Sequence, residues 1–292
     1  MTKFMRILVG LAIAAAVLTV QAGSVQAQSP RTWVSSTGND ANTCGRTAPC
    51  KTFNGALAKT APGGEITCVG PGDYGSGSTV NITKSIAISC EAGTALAPGS
   101  AGLTAITVNV GAADKVYLRG LDIEGAGTGN IGIVFSGAGA LHVDKCLIRG
   151  FNSGIEFANG AAAALYVADS VIADGGVHGI NIAPIGAAAN VTLDRVQLTN
   201  NQDGIVANSG GGPVTVTITE SNASRHSGRG FAAVSQGGPV LMQISRTTAS
   251  QNIVGVQATG AQAQVNPWQI ACVAERHGRP ERKWQQAVFL PE

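Results

Sequence analysis

The chain has 292 residues, of which 12% are charged and 4% aromatic, and its formal net charge is +2. No run of Lys and Arg precedes the C-terminal region, which excludes the basic footprint of a nucleic-acid-binding protein. The four His residues show none of the Cys/His spacings of a zinc site, so the sequence predicts neither a metal nor a cofactor.

Residues 1–27 have the layout of a secretory signal peptide. Lys3 and Arg6 precede an apolar run, Ile7 to Val20, and the small-residue site Val25-Gln26-Ala27 follows it. The apolar run is shorter than the roughly 20 residues that span a bilayer as a helix. We therefore expect cleavage after this site, a secreted or periplasmic product, and no membrane span after cleavage. An uncleaved anchor is the alternative.

Residues 28–64 are predicted to contain a tight turn and a short helix. Cys44 and Cys50 bracket the turn, and they are the most favourable disulfide pair in an exported chain. The next segment ends at Pro62-Gly63-Gly64, which stops a helix. Four apolar residues fall on one face of this helix: Phe53, Ala56, Leu57 and Ala61. We predict that the helix forms an N-terminal cap over the apolar interior of the region that follows.

From residue 65 to residue 265 the sequence repeats at a nearly constant interval. A glycine followed by an aliphatic or aromatic residue recurs every 22 to 26 residues. These glycines are Gly132, Gly154, Gly179, Gly204, Gly230 and Gly255. Such a period is typical of a solenoid, in which each unit buries its apolar face against its neighbours.

Aligning the units predicts three inward columns of mainly aliphatic side chains, joined by Gly, Asn and Ser turns. The first column is Leu118, Val143, Val167, Leu193, Ile218 and Ile244. The second is Ile123, Ile148, Ile172, Leu198, Ala223 and Ala249, and the third is Ile133, Ile155, Ile180, Ile205, Phe231 and Val256. Three short alternating strands per coil describe an all-β, single-stranded right-handed parallel β-helix. A sandwich of antiparallel hairpins would not produce registered columns at this period.

The other four cysteines divide into a pair and two single residues. Cys68 and Cys90 lie 22 residues apart, which is one coil, so they should stack on neighbouring strands within bridging distance. Cys146 and Cys272 have no evident partner. We interpret Cys146 as a small inward core residue, because a free thiol packs like a hydrophobic group.

The front of the chain and the coils together resemble a known superfamily. The segments WVSSTGNDANTC and APCKTFNGALAKTAPGGEITCVGPGDYG, followed by stacked coils as far as Val265, resemble secreted bacterial right-handed β-helix proteins of the pectin lyase-like superfamily. The resemblance implies the fold. It implies no single activity, because the superfamily includes pectate lyases, polygalacturonases, methylesterases, epimerases, phage tailspikes and adhesins.

The outward charges favour ion-pair ladders over an acidic active site. Opposite charges should stack on adjacent strands, with Arg119 over Asp144 and Glu124 over Arg149. A further outward column alternates in sign and should form one line along the surface: Gly120, Lys145, Asp169, Arg195, Glu220 and Arg246. The resemblance implies that a lyase would need a base and Ca²⁺ or another cation, and that a hydrolase would need clustered Asp residues. The paired carboxylates favour neither scheme.

One outward patch differs from these ladders. Tyr117 and Tyr166 are predicted to stack on either side of His142, with Arg119 and Asp144 two residues further along the same strands. Aromatic rings beside His and Arg are typical of a sugar-binding groove, so we predict that Tyr117, His142 and Tyr166 bind a ligand. All five residues are candidate acid/base groups under an enzymatic alternative. The alternative is that the three stacked rings only stabilise the sheet and bind no ligand.

Residues 266–292 depart from the repeat. Pro267 stands where a backbone donor is due, and these 27 residues carry seven charged side chains. They form either a cap with an amphipathic helix, Glu281 to Leu290, or a mobile segment foreign to the fold. We favour the second, because a helix of about ten residues is marginal by itself. The last coil would then be exposed and prone to end-to-end self-association.

Two functions fit these features. The first is a non-catalytic secreted β-helix that binds a polysaccharide or another cell-surface ligand through a flat sheet face. The alternative is a lyase or epimerase acting on an acidic, uronate-containing polysaccharide, and only this alternative calls for Ca²⁺. The absence of an acidic cluster from the aligned coils favours the first.

Overall fold

A computed structural model describes residues 28–75, 77–96, 102–273 and 289–290 of the chain. The predicted signal peptide, residues 1–27, lies outside these ranges. Within them, no helix combines the length and the apolar character needed to cross a membrane.

Regular structure in the described residues is almost entirely β. The one helix there is α1, Phe53–Lys59. The strands, in chain order, are β1 Ser29–Val34, β2 Thr60–Cys68, β3 Gly72–Asp73, β4 Val80–Ile82, β5 Ile86–Leu96, β6 Ile106–Val108, β7 Lys115–Phe135, β8 Gly139–Asp144, β9 Leu147–Phe157, β10 Ala163–Ala168, β11 Val171–Ala173, β12 His178–Ile182, β13 Ala189–Asp194, β14 Gln197–Thr199, β15 Asp203–Ser209, β16 Val214–Thr219, β17 Asn222–Ser224, β18 Arg229–Ser235, β19 Val240–Ser250, β20 Val254–Thr259, β21 Ala263–Val273 and β22 Phe289–Leu290.

These strands pair in parallel with the strands one coil away, so the chain winds into a β-helix with three faces. The first face contains β1, β2, β8, β10, β13 and β16 with the opening parts of β5, β7, β19 and β21. The second face contains β3, β11, β14 and β17, and the third contains β4, β6, β12, β15, β18, β20 and β22. The longest strands turn a corner and contribute to more than one face. This architecture is the all-β parallel β-helix predicted from the sequence.

The three predicted inward columns are confirmed. On the first face, Leu118 lies opposite Val143, and the register continues strand by strand to Ile244. The columns of the second and third faces are in register in the same way. All members are fully buried except Val256, which packs against the core from the last described coils. Burying each large aliphatic side chain contributes about 1.5–3 kcal/mol, so these columns hold the coils together.

Helix α1 closes the N-terminal end of the interior. Its Phe53, Ala56 and Leu57 are buried in the core. Thr52 caps the helix, because its hydroxyl accepts a hydrogen bond of 2.9 Å from the Gly55 N–H.

The helix is shorter than predicted. It ends at Lys59, and Thr60 already begins β2, so the assignment of Ala61 to the helical face is wrong. Thr60 is buried, and its hydroxyl bonds the hydroxyl of Thr32 at 2.7 Å. Pairing of β2 with β1 and β5 thus overrides the local helical pattern.

At the other end, strand pairing continues past the predicted boundary at Val265. Strand β21 follows β19 as far as Val273, and Pro267 lies opposite Ile244 in the ladder. Proline is tolerated at the edge of a sheet, where its missing N–H interrupts no central ladder. The residues directly after Val265 therefore belong to the fold, contrary to the prediction that the segment is foreign from that point.

The predicted C-terminal helix lies mostly outside the described residues. Its last two residues, Phe289 and Leu290, form β22 and pair with Ala258 and Thr259 of β20, so they are not helical. The end-to-end self-association expected from an exposed last coil stays a prediction.

The cysteines follow the predicted scheme where they are described. Cys44 bonds Cys50, and Cys68 bonds Cys90, which links β2 to β5 on the adjacent coil. Cys146 is free and buried, and burial raises the pKa of its thiol to about 12. The side chain of Cys272 lies outside the described residues.

The alternating charge column forms a line of turns rather than an outward strand position. Its members each have a left-handed backbone conformation, with φ between 48° and 70°, at the corner between the first and second faces: Gly120, Lys145, Asp169, Arg195, Glu220 and Arg246. Asp169 and Arg195 form an ion pair at 2.7 Å, and Glu220 pairs with Arg246 at 3.1 Å. A single left-handed residue turns the chain at each corner, and its side chain still points outward. The predicted line is therefore present, on turns instead of strands.

Candidate ligand-binding face

The predicted aromatic patch is present on the outer side of the first face. Tyr117 on β7, His142 on β8 and Tyr166 on β10 lie in register on three adjacent strands. The ring centroids of Tyr117 and His142 are 4.5 Å apart with an interplanar angle of 14°, and those of His142 and Tyr166 are 4.5 Å apart with an angle of 8°. The three rings therefore form one continuous stack along the helix axis, called here the aromatic stack.

Strand alternation is what places this stack outside. Val116 and Leu118 on either side of Tyr117 point into the core, and Leu141 and Val143 do the same around His142. The outward residue between each pair meets its counterpart one coil away, because the register of parallel strands carries every column straight along the axis. The stack thus follows directly from the repeat.

Only the two outermost ring faces of the stack are free. Tyr117 is 44% exposed and Tyr166 is 41% exposed, while His142 is half-buried between them. The free face of Tyr117 points toward Ala87 on β5, and the free face of Tyr166 points toward Thr192 on β13. A ligand ring can therefore stack at either end, whereas along the side of the stack it meets ring edges only.

His142 is held in its neutral form. Burial between the two rings, helped by the charge of Lys115, lowers the pKa of the imidazole below its usual value. At neutral pH the ring is therefore uncharged, and one of its nitrogens is available as a base or as a hydrogen-bond acceptor.

Charged side chains border the aromatic stack. Arg119 forms an ion pair with Asp144 at 3.4 Å, as predicted, with the guanidinium about half-exposed. Lys115 lies exposed on the same strand as Tyr117 and Arg119. The predicted pair of Arg149 with Glu124 is also present at 3.1 Å, on the second face. The candidate acid/base residues thus lie together, although Asp144 is engaged by Arg119.

On both sides of the aromatic stack, the same outward column carries residues without aromatic rings. Toward the C-terminus the column continues through Thr192, Thr217 and Gln243, which are small or uncharged polar residues. Toward the N-terminus it passes through Ala87 and Glu65.

An arginine covers the N-terminal end of the face. Arg31 pairs with Glu65 at 3.5 Å, and its guanidinium donates to the Thr67 hydroxyl at 3.1 and 3.2 Å. The same guanidinium lies 5.4 Å from the ring centre of Trp33. These contacts fix Arg31 over the first two coils.

Sequence reasoning missed a buried charged cluster at the start of the third-face strands. Asp203 is 3% exposed, and Arg229 donates to its carboxylate from the backbone at 2.7 Å and from two guanidinium nitrogens at 3.1 and 2.7 Å. Burial opposes ionisation of Asp203, but these bonds outweigh it and lower its pKa. His178 lies 4.0 Å from the same carboxylate. The signal was available, because all three residues directly precede a repeat glycine.

A second missed feature is an internal polar column at the corner between the second and third faces. Asn201 accepts a hydrogen bond from the Gly175 N–H at 2.8 Å, and Asn252 accepts one from the His226 N–H at 3.0 Å. His226 occupies the position between the two Asn residues, where its Nδ1 accepts the Asn201 N–H at 3.2 Å. Burial lowers the pKa of His226. This column satisfies backbone donors inside the solenoid.

No group of three or more His, Cys, Asp or Glu side chains gathers as a metal site would in the part of the chain that the structure describes.

Comparisons with known proteins bear on the fold. No protein-family model matches the chain, and no curated protein matches it in sequence. Among solved structures, pectate lyase Pel9A aligns with a TM-score of 0.63 and 17% identity, covering 87% of this chain and 80% of its own. A rhamnogalacturonan lyase aligns with a TM-score of 0.40 and 12% identity, covering 89% of each chain. The A-module of mannuronan C-5 epimerase AlgE6 from Azotobacter vinelandii aligns with a TM-score of 0.36 and 12% identity, covering 78% of this chain and 95% of its own.

The alignment with Pel9A carries the conclusion on fold. This chain has the right-handed parallel β-helix fold that pectate lyase Pel9A has, which is the fold that the sequence resemblance implied. At 17% identity the likeness shows the fold alone, and function has to be argued from the residues of this chain.

Proposed function

We propose that the protein binds polysaccharide through the outer side of the first face, at the aromatic stack. The observation that carries the proposal is the exposure of Tyr117 and Tyr166 at the two ends of a rigid stack, beside Arg119 and Lys115. Exposed aromatic faces bind the apolar face of a sugar ring, and the neighbouring cationic groups donate hydrogen bonds to hydroxyl or carboxylate oxygens.

The proposal fits the compartment suggested by the rest of the chain. Two disulfides support an oxidising environment, and the predicted signal peptide supports export. A protein in that environment meets cell-surface and extracellular polysaccharides.

A second candidate is a lyase or epimerase acting on a uronate polysaccharide. The observation that favours it is the neutral His142, with its lowered pKa, two residues from the strand position of Asp144 and beside Arg119. A neutral imidazole can accept the proton next to a uronate carboxylate, and a guanidinium can neutralise that carboxylate. This candidate requires substrate to reach the edge of an imidazole whose two faces are covered.

Binding is tested by affinity electrophoresis through gels containing pectate, alginate or a neutral glucan. We expect retardation of the wild-type protein in at least one gel. The double variant Tyr117→Ala/Tyr166→Ala should bind about 5- to 150-fold more weakly, taking about 0.5–1.5 kcal/mol for each lost stacking contact, as for stacked aromatic pairs. The matched control is Thr217→Ala, which shortens an outward side chain of the same sheet away from the stack. Equal retardation of all three proteins in every gel contradicts the proposal.

The enzymatic candidate has its own readout. Incubation with each uronate polysaccharide, followed by ultraviolet detection of unsaturated products or by NMR detection of epimerised residues, should show turnover that His142→Gln abolishes. Binding without either product supports the non-catalytic role.

A further inference from the structure

Ala87 lies next to the aromatic stack in the same outward column, at the position where one more ring would extend the stack. It lies in register with Tyr117 on one side and with Glu65 on the other, on the outer side of the first face. Ile86 and Ile88 beside it are buried, so its methyl group points outward, and it is partly exposed. The result is a one-coil gap in a column that is otherwise occupied by longer side chains.

The gap has the width of one ring. Glu65 and Tyr117 lie two strands apart, which is about 9.5 Å along the axis. A ring placed midway would lie about 4.8 Å from Tyr117, close to the 4.5 Å spacing found within the aromatic stack. A ligand ring would therefore continue the stack at its natural interval.

We propose that a single pyranose ring of a polysaccharide binds in this gap, stacked on the free face of Tyr117 above Ala87. The inference rests on the proposed binding function and assigns it to one position. Tyr117 is the ring that contacts the sugar, while His142 and Tyr166 support Tyr117 from behind.

The side chains around the gap suit a sugar. Ser89 and Arg119 lie in register beside Ala87 and Tyr117, and both side chains carry groups that can donate hydrogen bonds to a sugar. Lys115 lies on the other side of Tyr117. At the far wall the carboxylate of Glu65 is neutralised by Arg31, so the gap accepts ring hydroxyls without an unpaired negative charge. The apolar methyl of Ala87 forms the floor.

The opposite end of the stack is less suitable. Thr192 rises directly next to the free face of Tyr166, where Ala87 offers only a methyl group at the Tyr117 end. Thr192 is flanked on its strand by Asn190 and Asp194, and Arg195, which follows Asp194, is engaged by both Asp194 and Asp169. Both steric room and charge therefore favour the Tyr117 end.

The test introduces a tyrosine side chain next to each free end of the aromatic stack, where it would occupy the space that a ligand ring needs. Ala87→Tyr extends the stack into the gap, and its matched control, Thr192→Tyr, extends the stack at the other end. Affinity for the polysaccharide that retards the wild-type protein should fall at least tenfold in Ala87→Tyr and stay within twofold in Thr192→Tyr. Both variants should keep the β spectrum by circular dichroism.

The outcomes separate this inference from the function on which it rests. If the wild-type protein binds, Ala87→Tyr binds equally well and Thr192→Tyr binds weakly, the ligand sits at the Tyr166 end and the inference is overturned while the function stands. If the wild-type protein binds none of the polysaccharides, the proposed function itself fails. Should Ala87→Tyr not fold, Tyr117→Ala against Tyr166→Ala decides the question, because only loss at Tyr117 agrees with the gap.

Discussion

The outer side of the first face has two halves with the same construction and different chemistry. In the N-terminal half, called here the aromatic half, the outward column carries the ring-sized gap at Ala87 and the aromatic stack from Tyr117 to Tyr166. In the C-terminal half, called here the threonine half, the same column carries Thr192, Thr217 and Gln243. Beneath both halves runs one unbroken inward column of aliphatic residues.

The difference shows how a solenoid separates folding from function. Inward positions have to fill a closed interior in register, so they vary little from coil to coil. Outward positions are constrained only by their strand neighbours, and threonine satisfies that constraint as well as tyrosine does. The proposed binding function would account for large aromatic groups clustered in one half of the face, and the variants below separate it from the roughly 0.2–1 kcal/mol that aromatic cross-strand pairs contribute to stability.

The largest expected effect is a loss of stability in two core variants, which together test whether the two halves share one core. Leu118→Ala removes a buried side chain beneath the aromatic half, and Leu193→Ala removes one beneath the threonine half. Each should lower the free energy of unfolding by about 2–5 kcal/mol, because both leave a cavity in a packed column. Chemical denaturation monitored by circular dichroism measures the two losses.

The same pair of variants also addresses binding. Well below their melting temperatures both should retain polysaccharide affinity, because neither side chain reaches the outer surface. If only one of the two variants lost stability, the two halves would not share a common inward column.

Most of this architecture could be predicted from the sequence, because a column repeated at a fixed period reports burial directly. Leu118, Ile148 and Ile205 were assigned to the correct faces on that basis, and so was the stack around His142. Lys145 was placed on a strand, because an outward turn residue and an outward strand residue carry the same polarity. Only its positive φ tells them apart.

Other features depended on pairing that no local pattern reveals. Ala61 continues a helical pattern, yet it lies in β2, whose residues on either side, Thr60 and Gly64, pair with neighbouring strands. The gap at Ala87 escaped notice because the regular alignment begins at Val116, one coil later. Asp203 and Arg229 each precede a repeat glycine, so the repeat alignment places them on adjacent coils, but their burial as an ion pair is visible only in the structure.

The next effect in size concerns pH and the imidazole at the centre of the stack. The pKa of His142 is lowered in the folded protein, chiefly by burial, relative to about 6.5 in the unfolded chain. Between these two values the unfolded chain binds more protons, so stability is fully present above about pH 7 and is lost as the pH falls through the folded pKa. His142→Thr, which extends the threonine half, should reduce the difference in melting temperature between pH 7.5 and pH 5.

An inward histidine supplies the reference for that measurement. His226 is buried, and its pKa is lowered in the same direction. His226→Asn keeps an acceptor in the internal Asn column, so it should also reduce the acid sensitivity while leaving polysaccharide binding unchanged. His142→Thr should weaken binding in addition. Acid sensitivity that neither variant alters would show that other groups control it.

The smallest expected effect compares one ion pair from each half. Asp144 pairs with Arg119 at 3.4 Å beside the stack, and Glu220 pairs with Arg246 at 3.1 Å at the corner of the threonine half. Both pairs are solvent-exposed, so Asp144→Asn and Glu220→Gln should each change stability by no more than about 1 kcal/mol.

The effects of these two variants on polysaccharide binding should differ. Asp144→Asn releases Arg119 next to the gap and should strengthen binding of an acidic polysaccharide severalfold at low salt, with a gain that shrinks as salt screens the charge. Glu220→Gln should leave binding unchanged at every salt concentration, because its partner lies far from the gap. Equal gains in the two variants would attribute the effect to net charge, and the N-terminal half would then have no special role in binding.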